Sequence, residues 1–197
     1  LSIPGLKSII VSSFALGVAF GGYIPLQSLW LESLGRPFNQ IGLTNGIVGL
    51  GIIISAYFVP RFVKILGITN MILIGLFLAI ISASGFRLTE NLYLWLMIKF
   101  IKGLGLGLHW VLSEAWLIKI SPPKIRPKAI AVYAVAMSLG FAGGPAIIWA
   151  FGHTTFLPFF CVSVVLAITA IPFLFIKKYE PSIMLGSKSS PIKLILR

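Results

Sequence analysis

Five ionisable residues lie within one apolar stretch of the sequence, residues 98–120, IKFIKGLGLGLHWVLSEAWLIKI. Lys119 is next to its end, and the other four are Lys99, Lys102, His109 and Glu114. An ionised side chain costs roughly 2.5–3.5 kcal/mol at the centre of a membrane helix on insertion scales, so each one needs a partner, a hydrated pocket or a nearby interface. The sequence therefore predicts that this stretch borders a polar cavity or a gate.

The acidic residue of this stretch has two interpretations. Glu114 lies about one helical turn before Lys119, where an apolar helix would reach a membrane surface. We expect a gate-side salt bridge between its carboxylate and Arg61 or Lys64, which lie at the end of another apolar segment. The alternative is a direct role in binding protons or substrate. The first interpretation predicts a latch formed by Arg61, Lys64 and Glu114.

Other polar side chains are candidates for lining a cavity. Lys99 and Lys102 either extend to the membrane surface or attract an anionic group within a hydrated space. His109 either takes part in proton coupling or packs as a hydrogen-bonded residue. The complete set of candidate cavity residues is Tyr23, Gln27, Asn45, Lys99, Lys102 and His109.

Six apolar segments must position these residues. The chain of 197 residues is 58% hydrophobic and 10% charged, which excludes an ordinary soluble domain. Apolar runs of about 18 or more residues can span a bilayer as helices. We therefore predict an all-α, polytopic six-helix transmembrane bundle over residues 1–176, with spans at about 8–31, 41–59, 68–86, 93–118, 129–151 and 155–176.

Basic residues are unevenly distributed between these spans. If the spans alternate in direction, twelve of the sixteen Lys and Arg residues fall on one side of the membrane. By the positive-inside rule, that side and both termini are cytoplasmic, and we predict a bacterial inner membrane. The net charge of +12 then indicates contact with lipid and no nucleic-acid partner. The twelve residues are Lys7, Arg61, Lys64, Lys119, Lys124, Arg126, Lys128, Lys177, Lys178, Lys188, Lys193 and Arg197.

Small residues spaced by four predict where helices approach one another, because close backbone contact drives helix association in lipid. Some of them also recur at a constant offset of 86 residues, together with a Trp-Leu pair. Three spans separate the two copies, which favours two inverted three-helix repeats. The spaced pairs are Gly17/Gly21, Gly42/Gly46, Gly103/Gly107 and Gly140/Gly144, and Trp30-Leu31 recurs as Trp116-Leu117.

Motifs for chemistry on a substrate are missing from the sequence. There is no Walker loop, no Gly-rich dinucleotide fingerprint and no paired His-Glu metal motif. We therefore predict that the protein is not an enzyme and needs no cofactor or metal. An intramembrane hydrolase would require a Ser–His pair within hydrogen-bond reach, which the apparent spans do not obviously provide.

Two stretches in the fourth and fifth spans contain glycines at a fixed spacing. In KFIKGLGLGLHWVLSEAWL, Lys99 precedes Gly103 by four residues, and GFAGGPA contains Gly140, Gly144 and Pro145. These stretches resemble the Arg-x-x-x-Gly motif, with Lys99 at the Arg position, and the Gly-x-x-x-Gly-Pro motif of the amino-terminal six-helix half of the major facilitator superfamily. The resemblance makes these glycines, with Gly107, a helix-packing motif, and Pro145 would bend the fifth span.

The loop between the second and third spans is a weaker match to the family. It reads AYFVPRFVKILG, in which Arg61 and Lys64 fit the basic positions while Pro60 replaces the expected Asp. The longer stretch LSEAWLIKISPPKIRPKAIAVYAVAMSLGFAGGP looks like a drug- or sugar-transporter-like branch.

This resemblance implies a secondary active transporter that moves a small solute by alternating access, coupled to protons. Its implied partners are the lipid bilayer, a small-molecule substrate, protons and a carboxy-terminal six-helix half. Residues 177–197, KKYEPSIMLGSKSSPIKLILR, would be a cytoplasmic connector toward that half. The alternative is a complete six-span interaction protein or a homodimeric half-transporter.

Overall fold

Residues 3–181 are described by the computed structural model, and this part of the chain is helical with no strand. Its seven α-helices are α1 Leu6–Ser33, α2 Phe38–Leu66, α3 Ile68–Gly85, α4 Leu92–Ile120, α5 Arg126–Gly143, α6 Ala146–Phe151 and α7 Leu157–Ile176. Short 3₁₀ turns follow α3 at Phe86–Leu88 and α7 at Lys177–Tyr179.

These helices supply six segments that are long and apolar enough to cross a membrane. The helices α1, α2, α3, α4 and α7 each provide one span, and α5 and α6 together provide the fifth. The fifth span is interrupted at Gly144 and Pro145, because proline has no N–H to continue the helical ladder. The prediction of an all-α six-span bundle is confirmed for the described residues.

The second span is longer than its apolar run indicates. Helix α2 continues through Pro60 and ends only where Gly67 adopts a positive φ of 77°. Prolines are tolerated within membrane helices because neighbouring groups satisfy the freed carbonyl. At the other end of the bundle, the Asn91 side chain accepts a hydrogen bond from the Tyr93 N–H at 2.9 Å and so begins α4.

Helix packing follows a two-fold pattern. Helix α1 packs mainly against α5 and α7, and α4 packs mainly against α2 and α3, while α3 and α7 also pack together. Exchanging the first three spans with the last three interchanges the contacts of α1 with those of α4, and it maps the α3–α7 contact onto itself. Since three crossings separate corresponding helices, the two repeats run in opposite directions, which confirms the predicted inverted repeat.

Glycine contacts give the repeat an exact register. A Cβ placed on Gly140 would overlap the carbonyl oxygen of Phe14, and one placed on Gly51 would overlap that of Phe100. Residues of α1 correspond to residues of α4 at an offset of 86, and residues of α2 correspond to residues of α5 at an offset of 89. The same offsets relate the contact of Gly17 with Met137 to that of Gly103 with Val48.

Most of the predicted small-residue pairs lie at these helix contacts. A Cβ on either member of Gly17/Gly21, Gly103/Gly107 or Gly140/Gly144 would meet a neighbouring helix. Gly42 and Gly46 differ, because nothing lies within 4 Å of a Cβ built at either position. That face of α2 is open in the described part of the chain.

The segment after α7 docks on the loop between α2 and α3. The Glu180 carboxylate accepts a hydrogen bond from the Ile68 N–H, at the start of α3. Lys177 Nζ donates to Asn70 Oδ1 at 3.2 Å. The first residues of the predicted connector therefore lie at the basic end of the bundle, and residues 182–197 of that connector lie outside the described residues.

Candidate functional site

A cavity of about 190 Å³ lies between α1, α2 and α4. Four of the six predicted cavity residues, namely Tyr23, Gln27, Asn45 and Lys102, line it together. The remaining lining residues are Phe20, Ile24, Val48, Gly49, Ile52 and Leu106. We call this space the lysine cavity. Lys102 lies four residues from the middle of α4, or about 6 Å along the helix axis, so the cavity is near mid-depth.

Hydrogen-bond donors around the lysine cavity are incompletely satisfied. Lys102 is 4% exposed, and its Nζ lies over the face of the Tyr23 ring, a cation–π arrangement. Within residues 3–181 its ammonium group makes no hydrogen bond and no ion pair. The Tyr23 hydroxyl and Gln27 Nε2 are buried and likewise have no hydrogen-bond partner there. Three different groups therefore offer unused donors to the same space.

Lys99 makes different contacts from Lys102. It is fully buried, and its Nζ donates to Asn45 Oδ1 at 2.7 Å and to Thr44 Oγ1 at 3.2 Å. Asn45 Nδ2 in turn donates to Ser28 Oγ at 3.1 Å. This chain of hydrogen bonds joins α4, α2 and α1 on the side of the cavity nearer the α1–α2 loop. Neither lysine extends to the membrane surface, because both side chains end within the bundle.

His109 is packed away from the lysine cavity. Its Nε2 lies 3.0 Å from Ser12 Oγ, and Ser12 donates its proton to the Thr169 carbonyl at 3.1 Å. Ser12 must therefore accept from an Nε2–H group, which leaves Nδ1 as a buried atom without a partner in the described chain. The Phe173 ring meets the imidazole edge-on, with centroids 5.4 Å apart. Three helices, α1, α4 and α7, are joined at this histidine.

This contact supplies a Ser–His pair that the apparent spans did not predict. The pair lacks the geometry of a nucleophile and its base, because the Ser12 proton points to a backbone carbonyl instead of the imidazole. Both residues are fully buried, and neither lines the lysine cavity. The arrangement is that of a packing contact between helices.

Glu114 lines a second space, a groove of about 380 Å³ between α4 and α5, which we call the glutamate groove. Its other lining residues are Trp110, Ile130, Tyr133, Ala134, Met137, Ser138 and Phe141. Arg61 and Lys64 are exposed on α2, and no ion pair joins either to Glu114 in residues 3–181. The expected latch contact is therefore not formed in this conformation, since the carboxylate lies beside α5.

The lysine cavity and the glutamate groove are related by the inverted repeat. At the offsets given above, Ile24 corresponds to Trp110, and the α2 lining residues correspond to those of α5. Their charged residues do not match: Glu114 corresponds to Ser28, and Lys102 corresponds to Leu16. The α2–α5 pairs are Asn45 with Ala134, Val48 with Met137, Gly49 with Ser138, and Ile52 with Phe141.

An aromatic cluster at the α1–α2 end of the bundle was not predicted from the sequence. The Trp30 ring lies 5.4–5.8 Å from the rings of Phe86, Trp95 and Phe159, measured between centroids. Two arginine guanidinium groups cover this cluster, Arg36 over Trp95 at 5.0 Å and Arg87 over Trp30 at 5.6 Å. The sequence does place aromatic residues beside basic residues at the ends of spans, a pattern typical of the aromatic belt at a membrane interface, and this could have indicated the cluster.

Comparison with known proteins decides the family. Residues 9–195 match the profile of the Major Facilitator Superfamily. The chain belongs to the major facilitator superfamily. It is accordingly an integral membrane protein of a family whose members carry out membrane transport, and the six spans of the described residues agree with one half of the fold of that superfamily.

Several curated proteins are similar to this chain. Multidrug resistance protein 2 of Bacillus subtilis (strain 168) is 25% identical over 181 residues, which cover 90% of this chain and 44% of that protein. The uncharacterized MFS-type transporter YfkF of the same strain is 24% identical over 150 residues, or 75% and 38% of the two chains. An uncharacterized MFS-type transporter of Yersinia pestis (strain Pestoides F) is 26% identical over 115 residues, or 58% and 30%. The chain thus spans less than half the length of these relatives.

Proposed function

We propose that this chain forms one half of a secondary active transporter that moves a small solute by alternating access, with protons as the coupling ion. The observation that carries the proposal is the lysine cavity, a space near mid-depth that is lined by four polar side chains, one of them a lysine, in a predominantly apolar bundle. Polar groups are expensive in hydrocarbon and mark solute or ion pathways. In transporters with inverted repeats, such sites lie between the repeats, and this cavity is lined by α1 and α2 of one repeat and α4 of the other.

Two related spaces support alternating access. The lysine cavity lies on the α1–α2-loop side of the bundle, and the glutamate groove lies on the opposite side because the repeats are inverted. Opening one and closing the other would expose a bound solute to each face in turn. The hydrogen bonds from Lys99 to Asn45 and from Asn45 to Ser28 hold three helices together on one side, so they would have to break or shift when that side opens.

Glu114 is the group that we assign to proton coupling. It is the carboxylate of the glutamate groove and has no ion pair within residues 3–181. A carboxylate in a partly buried groove can bind and release a proton as access changes. This assignment follows the alternative in which Glu114 binds protons directly, and it does not require Arg61 or Lys64.

A second six-helix half is the partner that we propose for the open surfaces. The second and fifth spans are the least buried of the six. Gly42 and Gly46 present a small-residue face on α2 that meets no other helix in the described chain, and such faces allow close helix approach in lipid. The relatives are more than twice as long as the matched segment, which accommodates such a half. We place the complete protein in a bacterial inner membrane with the basic end cytoplasmic, by the positive-inside rule.

The mass of the protein in its own membrane separates this arrangement from a self-sufficient half. We expect an immunoblot of native membranes to give a band near twice the 21.4 kDa of this chain. A band at 21.4 kDa would instead support a homodimeric half-transporter or an interaction protein.

Transport itself is tested with the protein expressed from its complete gene and reconstituted into proteoliposomes. With a proton gradient imposed, we expect at least one solute of a broad radiolabelled panel to accumulate. Glu114→Gln should abolish accumulation driven by the gradient while solute exchange at equal pH continues. Lys124→Gln, on an exposed loop, is the control for altered charge. Coupling that survives in the Glu114 variant would remove Glu114 from the mechanism, and a panel with no transported solute would overturn the function.

A further inference from the structure

We propose that the lysine cavity binds a small anion, held by the Lys102 ammonium group with the Tyr23 hydroxyl and the Gln27 amide as additional donors. The anion is of carboxylate or phosphate chemistry. The binding site is inferred from its geometry, whereas identifying the anion with the transported solute rests on the function proposed above.

The chain provides no carboxylate to neutralise Lys102. It contains four acidic residues in all, Glu32, Glu90, Glu114 and Glu180. None of them lines the lysine cavity. Glu32 and Glu90 are exposed, Glu114 lines the glutamate groove, and Glu180 is bonded to the start of α3. A buried cation without a counter-charge is costly, and a bound anion would offset that cost.

A second lysine strengthens the positive potential of the cavity. Lys99 lies three residues before Lys102, so the two side chains are neighbours on α4. Lys99 is bonded to two neutral acceptors, Thr44 and Asn45, neither of which removes its charge. The potential inside the cavity therefore favours anions, and it disfavours cationic solutes by like-charge repulsion.

Unused donors give the anion its hydrogen bonds. Tyr23 and Gln27 are each 1% exposed, and Tyr23 Oη and Gln27 Nε2 have no partner in residues 3–181. Buried donors are almost always satisfied, so groups of this kind mark a place for a ligand or water. An anion accepts from all of them and from the ammonium group, whereas a neutral solute would leave the Lys102 charge uncompensated.

The size of the cavity limits the anion. Its volume of about 190 Å³ exceeds the roughly 150 Å³ of an engineered cavity that holds benzene. A monocarboxylate of benzoate size or an inorganic phosphate would fit, and Phe20, Ile52 and Leu106 offer an apolar wall to the rest of the molecule.

The test measures binding by the detergent-solubilised protein expressed from its complete gene. Isothermal titration compares benzoate with benzamide and acetate with acetamide, and includes inorganic phosphate. Each carboxylate–amide pair has nearly the same shape and differs in charge. We expect at least one anion to bind, and to bind at least tenfold more tightly than its neutral amide.

Variants assign that binding to the cavity. Lys102→Gln should weaken anion binding at least tenfold, Tyr23→Phe should weaken it several-fold while keeping the ring, and Lys124→Gln should leave it unchanged. If Lys102→Gln does not fold, the anion–amide comparison in the natural protein and the Tyr23→Phe variant still decide the question.

Three results would overturn the proposal: amides that bind as tightly as the anions, anion binding that is unaltered in Lys102→Gln, or no binding of any anion. The last is also expected if a carboxylate from elsewhere in the complete protein pairs with Lys102. The outcome is separable from the transport test. Anion binding without transport would leave this site and remove the function, whereas transport without binding of any anion would leave the function and remove this site.

Discussion

Replacing Asn45 with Leu tests whether the hydrogen bonds around Lys99 hold three helices together. The Asn45 side chain accepts from Lys99 Nζ at 2.7 Å and donates to Ser28 Oγ at 3.1 Å. Leu has a similar volume but can do neither. The variant therefore leaves the buried Lys99 ammonium group with Thr44 as its remaining acceptor among the described residues, at 3.2 Å.

The expected loss of stability follows from the two bonds. A hydrogen bond to a charged group contributes about 1.5–3 kcal/mol and one between neutral groups about 0.5–1.5 kcal/mol. We therefore expect Asn45→Leu to lower the free energy of unfolding by about 2–4 kcal/mol, because the lost bond to Lys99 is short and buried.

A double-variant cycle isolates the Lys99–Asn45 interaction. Lys99→Met removes the ammonium group that donates to Asn45, so adding Asn45→Leu to it should cost much less than in the natural protein. We expect a coupling energy of at least about 1.5 kcal/mol from unfolding of the purified protein by SDS in mixed micelles. Effects that add to within about 0.5 kcal/mol would refute the reasoning, since independent sites behave in that way.

Three further contacts are tested with variants in the same unfolding assay. Gly103→Ala should destabilise the protein by more than about 1 kcal/mol, because its Cβ would overlap a carbonyl of α2. Its control is Gly85→Ala at the end of α3, which should not destabilise the protein, since nothing lies within 4 Å of a Cβ built there; equal effects would contradict the assigned helix contacts. Glu180→Ala should cost about 0.5–2 kcal/mol by removing the acceptor at the start of α3, and no change would mean that the segment after α7 is not docked. Ser12→Ala should cost about 1–3 kcal/mol by leaving a buried His109 N–H unpaired, with transport retained, and loss of transport at full stability would contradict a packing role.

Much of the fold could be predicted because lipid imposes simple requirements on the sequence. Spans must be long and apolar, so their number followed from hydropathy, and close helix approach requires small residues. The offset of 86 between the first and fourth spans was therefore visible. The offset of 89 between the second and fifth was not, because Gly51 of α2 corresponds to Gly140 of α5 without a shared motif around them. The extension of α2 beyond Pro60 also escaped prediction, since proline normally marks a helix end.

The candidate site was predicted in its residue types and less well in its contacts. Tyr23, Gln27 and Lys102 were identifiable because a polar group in an apolar span is costly and needs a reason. The neighbouring helix that each of these side chains contacts depends on how the helices pack, and the sequence alone does not specify that packing. Glu114 was thus expected beside α2 and lies beside α5. The Ser12 contact of His109 spans 97 residues, and a serine in an apolar helix carries no signal of its partner.

In this half, the two repeats share their helix contacts but not their charged residues. Corresponding glycines make corresponding helix contacts, so the lysine cavity and the glutamate groove share one scaffold. Their charged residues differ, because the residue that corresponds to Lys102 in the other repeat is Leu16, and the residue that corresponds to Glu114 is Ser28. A substitution at a contact glycine should therefore disturb both spaces through the shared helices, whereas Lys102→Gln and Glu114→Gln should each alter one space alone. If Lys102→Gln changed proton coupling as strongly as Glu114→Gln does, the two spaces would have to act as a single site, and the division of roles proposed here would be wrong.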